Sequence, residues 1–263
     1  MEPIAIQTIY EAMTRIAPPE LAESWDNPGL LVDCGRPAVR ALTALDITPA
    51  VVDEAKRLGC EVIVAHHPVI FSPLKRLDRQ DVPFLLVEAG ISAICMHTNF
   101  DAAEGGVNDT LAGILGMQEA EPFAGGCGRV GALDTQAPLT VPALAALAQR
   151  RLGALCVPPR EGPAVQVKYA DNGRPVRRLA VISGAGGSLF EEALAVGADC
   201  LLTGEASHHA AIDAARLGLG LIAAGHYATE YPAVAALAAR LQEAVPGLAV
   251  FASRENRDPF TYL

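Results

Sequence analysis

The chain has 263 residues, 51% of them apolar and 19% charged, with a formal net charge of −10. That composition supports a sizeable core and argues against long disorder. The acidic balance disfavours general binding to a phosphate backbone, and no apolar run reaches the roughly 20 residues of a membrane span.

Taken in chain order, residues 4–17 carry Ile4, Ile9, Met13 and Ile16 near helical spacing, and Pro18-Pro19 stops that helix. Residues 29–32 and 41–47 read as strands, and 49–58 as a helix closed by Gly59. A β-branched strand over 61–65 ends at His66, a helix over 83–88 stops at Gly90, and a strand over 91–96 ends at His97. Residues 107–115 form a helix stopped by Gly116. The second half repeats this pattern. A helix over 139–151 precedes a strand over 178–182, which runs into the glycine-rich loop 183–188 and a helix to Ala195. Strands over 199–202 and 219–223 follow, with a helix over 207–217 between them. A helix over about 229–241 and a strand over 247–252 close the chain. The alternation predicts an α/β fold of two similar halves with largely parallel sheets. The Gly- and Pro-rich stretch 122–131 places the boundary near residue 125, giving halves 1–125 and 126–263.

The six cysteines are Cys34, Cys60, Cys95, Cys127, Cys156 and Cys200, and none forms a CxxC pair. They read as reduced thiols of a cytoplasmic protein, and the N-terminus shows no signal-peptide pattern.

All six histidines fall in four short clusters, each with a carboxylate or a second histidine. Imidazole with carboxylate is a ligand set for zinc, manganese, iron and similar divalent ions. The clusters follow strand ends, where ligands bind in open α/β sheets. His66 and His67 are neighbours, and neighbouring strand side chains point to opposite sides, so the pair suits two ions lying side by side. Asp101, four residues past His97 in a loop, suits a ligand or an Asx turn. His226 and Glu230 stand i, i+4 at a helix start, where Glu230 suits either a bridging carboxylate or an interaction with the helix dipole. Pro232 then belongs to the first helical turn. Glu205, His208 and His209 follow the next strand end, with Ser207 as an N-cap; they suit pocket lining, second contacts to the ligands, or plain surface. The loop 183–188 lacks the lysine of a nucleotide-hydrolysing loop and reads as a tight turn, with anion binding the alternative.

These clusters, together with the opening Trp25-Asp26-Asn27-Pro28-Gly29-Leu30-Leu31-Val32, resemble in order the Nif-three-like dinuclear metal centre hexameric family, many of whose members are labelled GTP cyclohydrolase I type II homologues. The match runs through His66-His67-Pro68, His97-Thr98-Asn99-Phe100-Asp101, Thr203-Gly204-Glu205 and Gly225-His226-Tyr227-Ala228-Thr229-Glu230. The resemblance implies two divalent ions per subunit. His67 and Asp101 would hold one, His66 and His226 the other, with Glu230 bridging them. It also implies a homohexamer. Two ions together can clamp the attacking and leaving oxygens of a hydrolysis. His97, beside Asp101 and outside the implied ligand set, is the candidate for proton transfer. The expected function is a metal-dependent hydrolase of a nucleotide or related heterocycle, with a metal-binding scaffold, chaperone or regulatory adaptor as the alternative; a membrane or nucleic-acid partner is not expected.

Overall fold

Strand and helix alternate along the chain as the periodicity predicts, and the strands assemble into two mixed sheets, one of five strands and one of six. The structure is a computed structural model that describes residues 2–158 and 162–262. Its contacts divide the chain into two units: one runs up to Gly106 and includes Val234–Asn256, the other comprises Val107–Ala233 and the segment from Arg257.

The first unit opens with α1 (Ile6–Ile16), which buries Ile9, Met13 and Ile16, then β1 (Gly29–Val32) and β2 (Arg40–Ala44). Next comes α2 (Pro49–Leu58). The Thr48 side chain caps it by accepting from Val51 N, Pro49 pre-sets its first turn, and left-handed Gly59 ends it. β3 (Val62–Ala65), α3 (Val82–Ala89), β4 (Ser92–Cys95) and the short α4 (Thr98–Ala102) complete this stretch. β2, β3 and β4 are parallel and in step, with Ala44 opposite Ala65 and Ala65 opposite Cys95. All three chains therefore leave the sheet at one edge, which puts Leu45-Asp46, His66-His67 and Met96-His97 side by side. β3 and β4 are buried along their whole length, as expected of parallel strands covered on both faces.

The second unit begins with α5 (Val107–Leu115), β5 (Met117–Phe123), β6 (Gly128–Leu133), α6 (Val141–Gly153), β7 (Lys168–Ala170) and β8 (Arg178–Ile182). It continues through α7 (Phe190–Ala195), β9 (Cys200–Thr203), α8 (His208–Leu217), β10 (Gly220–Ala223) and α9 (His226–Glu230). The layout of the first sheet recurs: β8, β9 and β10 are parallel, with Ile182 opposite Thr203 and Thr203 opposite Ala223. Gly184, Glu205 and His226 thus emerge at one edge. Beside this parallel core, β5, β6 and β7 pair antiparallel.

α10 (Pro232–Ala244) starts at the proline, as its place in a first turn requires, and leads back into the first unit. There β11 (Ala249–Ala252) pairs parallel with β2, while β1 runs antiparallel to β4 at the other edge. The contact division therefore falls at Gly106/Val107, not near residue 125, and the C-terminal strand belongs to the first sheet. The stretch 122–131, read as a boundary, instead holds the turn of the β5–β6 hairpin. β5 escapes the pattern because its five middle residues are exposed and a bulge interrupts it between Gln118 and Glu121. β6 escapes because it is built on small residues; a side chain at Gly131 would collide with the Gln118 carbonyl. β7, three residues long, is too short to show a period.

The segment after β11 also pins the exit of β2. The buried Asn256 accepts from Leu45 N at 2.7 Å and donates through Nδ2 to the Asp46 carbonyl at 2.9 Å. Asn256→Ala should remove both bonds and strand a buried N–H, costing about 1–3 kcal/mol. The expected readout is a lower urea midpoint at constant slope; an unchanged midpoint would take Asn256 out of this role.

Candidate metal centre

In the first unit, three histidines stand just past their strands, each with Nδ1 engaged. His66 Nδ1 donates to the Met96 carbonyl at 2.9 Å, His67 Nδ1 meets Asp46 Oδ1 at 2.7 Å, and His97 Nδ1 meets Asp26 Oδ1 at 2.7 Å. A carbonyl and an ionised carboxylate only accept, so in the neutral rings the proton sits on Nδ1 and the lone pair on Nε2. This carboxylate–histidine arrangement is the one that metal-binding imidazoles use to fix tautomer and orientation. His66, His67 and His97 each offer a ring nitrogen, and these atoms lie within 4.8 Å of one another, a grouping that could hold a metal ion. The rings pack at centroid distances of 4.9 Å (His66–His67), 5.2 Å (His66–His97) and 5.5 Å (His67–His97). Asp101, carried by α4, brings Oδ1 to 3.7 Å from His66 Nε2.

Asp26 is itself tightly held. Its Oδ2 accepts from Thr98 Oγ1 at 2.5 Å and from Thr98 N at 3.0 Å. Burial pushes its carboxyl up, but the hydrogen bonds from Thr98 and His97 outweigh that and hold it below its ordinary value. It therefore stays an acceptor for His97.

In the second unit, His226 Nδ1 meets Glu205 Oε1 at 3.2 Å, and its Nε2 lies 3.1 Å from Oε2 of the buried Glu230, one turn along α9. Gly184 sits against this pair at a φ of +58°, and a Cβ there would strike Glu230 Oε1. The rest of the glycine loop turns its donors inward. Ser183 N donates to Asn108 Oδ1, Gly184 N to Thr229 Oγ1, Gly186 N to Thr203 Oγ1 and Gly187 N to the Glu205 carbonyl. The loop is a tight turn that makes room for Glu230, with these donors unavailable to an anion.

Several expectations change in detail. His66 and His67 converge, because β3 ends at Ala65 and the Nδ1 acceptors, not the pleat, aim the rings. Asp101 lies on a short helix, not in a loop. Of the cluster after β9, only Glu205 reaches a histidine ring of the strand ends; His208 and His209 are exposed on the first turn of α8, which Ser207 caps. His208 lines a separate cavity of about 240 Å³ with Lys168, Tyr169 and Leu221. The sequence reading passed over Asp26 and Asp46. Asp26 lies ahead of β1, where nothing local marks it as the partner of a histidine 71 residues away; Asp46 carries no local signal beyond following a strand.

Burial pushes the Cys60, Cys95 and Cys156 thiols up to about 12, so these cysteines stay protonated and unreactive.

The sequence profile described as Duf34/NIF3 (NGG1p interacting factor 3) matches residues 4–259. The chain belongs to the Duf34/NIF3 family. Within it, a Clostridium perfringens protein called GTP cyclohydrolase 1 type 2 homolog is 30% identical, covering 98% of this chain and 99% of its own. A Saccharomyces cerevisiae protein called NGG1-interacting factor 3 is 30% identical, with 86% of each covered. A crystal structure of a Staphylococcus aureus hypothetical protein superimposes over the full length of both chains with a TM-score of 0.88 at 27% identity. The fold is thus that of the family, as the motifs implied.

The His67–Asp46 pair gives a direct test of ring anchoring in this family member. Asp46→Ala should keep the fold and weaken zinc binding about 10–100-fold, the usual effect of losing such an anchor. Calorimetric titration with zinc checks it, and an unchanged affinity would show that the anchor is dispensable.

Proposed function

We propose that the protein binds two divalent ions per chain and uses them as a hydrolase of a nucleotide or related heterocycle. The residues proposed to hold them are His66, His67, Asp101, His226 and Glu230. The observation that carries this reading is the shared anchoring of four strand-end histidines through Nδ1, which turns each ring into an Nε2 donor with a carboxylate at hand. A bound divalent ion would supply Lewis acidity and lower the pKa of water. The chain's own part is to hold the donors deprotonated and oriented, and to move a proton; His97, braced by Asp26, is the residue placed for that.

Elemental analysis after saturation with zinc or manganese should give two ions per chain. His66→Ala should chiefly empty one position. Glu230→Gln should lower both, because Glu230 is the residue proposed to serve both ions and an amide lacks the charge to do so. Two tightly held ions in Glu230→Gln would remove the shared role, and saturation at one ion would remove the two-ion reading.

Turnover should survive repurification and disappear on chelation. His97→Ala should then keep its metal and lose about 10²–10⁴ in rate, the usual worth of a positioned acid or base. Equal loss of metal and rate would make His97 a ligand, as its closeness to His66 and His67 allows.

The second reading is a metal-binding scaffold or regulatory adaptor. The yeast relative's name, NGG1-interacting factor 3, favours it. Metal-loaded protein that turns over no nucleotide, ester or heterocycle would decide for it.

A further inference from the structure

Trp25 and Phe71 are large aromatic side chains, yet 59% and 51% of their surfaces are exposed. Both stand around His97. Ring centroids are 6.1 Å apart for Trp25–Phe71, 6.2 Å for Trp25–His97 and 6.4 Å for Phe71–His97. Trp25 and Phe71 are tilted by 51° to one another, and His97 stands near edge-on to each, at 78° and 84°. None of these three pairs is stacked face to face.

This arrangement is built, not incidental. Asp26, next to Trp25, is locked to His97 and Thr98. Asn27 donates through Nδ2 to the Ile70 carbonyl at 2.6 Å, which ties the Trp25 segment to the residue before Phe71. Three consecutive residues therefore present a ring, brace a histidine and clamp the neighbouring loop. Beyond Phe71, residues 71–80 are all exposed. Lys75, Arg76 and Arg79 against Asp78 give that stretch a net charge of +2 in a chain of −10.

We propose that Trp25 and Phe71 form a platform on which a nucleobase stacks beside His97, with the basic loop 71–80 facing its phosphates. A flat ring stacked on either Trp25 or Phe71 stands near edge-on to His97, at 78° or 84°, which is a preferred geometry for aromatic groups. Stacking on exposed aromatic faces is a general way to hold bases, and a local positive loop attracts an anion to an otherwise acidic surface. The choice of a nucleobase rests on the nucleotide substrate proposed above; the existence of the platform rests on ring geometry alone.

Trp25 is the only tryptophan in the chain, so its fluorescence reports the platform directly. Zinc-loaded protein is titrated with guanosine, with GTP and with inorganic triphosphate, exciting at the red edge of the tryptophan band. Guanosine and GTP should quench Trp25 saturably and triphosphate should not. Phe71→Leu should raise the guanosine dissociation constant roughly 5–100-fold at unchanged metal content, and Trp25→Leu should do the same by equilibrium dialysis. GTP should bind more tightly than guanosine at low salt, and the difference should shrink as salt is added. Absence of saturable quenching, or unchanged affinity in both variants, overturns the platform; equal affinity for GTP and guanosine at low salt overturns the loop's part. Base binding without any turnover keeps the platform and removes the hydrolase. Turnover whose kcat/KM is untouched in both variants keeps the hydrolase and removes the platform.

Discussion

The hydrogen bond to Nδ1 of each strand-end histidine is the interaction on which the candidate chemistry depends. An imidazole is a ligand only through a deprotonated nitrogen, and a ring free to rotate or exchange tautomers is a poor one. His66 solves this with the Met96 carbonyl, His67 with Asp46, His97 with Asp26 and His226 with Glu205. The three bonds to carboxylates are charge-assisted, and such bonds are among the stronger ones available to a side chain. They also raise the basicity of the opposite nitrogen.

Those bonds exist because of the register of the parallel strands. In the first sheet, Ala44, Ala65 and Cys95 are aligned, so an acceptor two residues past β2 meets a histidine two residues past β3, and the carbonyl just past β4 meets the histidine just past β3. In the second sheet, Ile182, Thr203 and Ala223 are aligned and deliver Gly184, Glu205 and His226 in the same way. A one-residue slip in either sheet would send each side chain to the other face and dissolve every pair.

The site also leans on segments far along the chain. Asn256 fixes the backbone that carries Asp46, and Asp26 reaches His97 across 71 residues. The Trp25-Asp26-Asn27 run shows how much one short segment can do when each side chain takes a different partner: His97 and Thr98 for Asp26, Ile70 for Asn27, and for Trp25 an exposed position beside His97.

Periodicity and punctuation in the sequence were enough to determine the α/β class, most strands and helices, and the clustering of donors after strand ends. Helix α2 was legible to the residue because Pro49 and Gly59 are local signals with fixed backbone consequences. The exposed β5, the small-residue β6 and the three-residue β7 were not, since none carries an apolar period. The membership of the donor groups was only partly legible: His66, His67, His97, Asp101, His226 and Glu230 announce themselves as residue types in company, whereas Asp26 and Asp46 look like ordinary turn carboxylates. Which nitrogen each histidine presents, and that His66 and His67 converge instead of diverging, were decided by tertiary structure alone. A tautomer is set by the acceptor that folding brings to the ring, and those acceptors lie 21 to 71 residues away for His66, His67, His97 and His226.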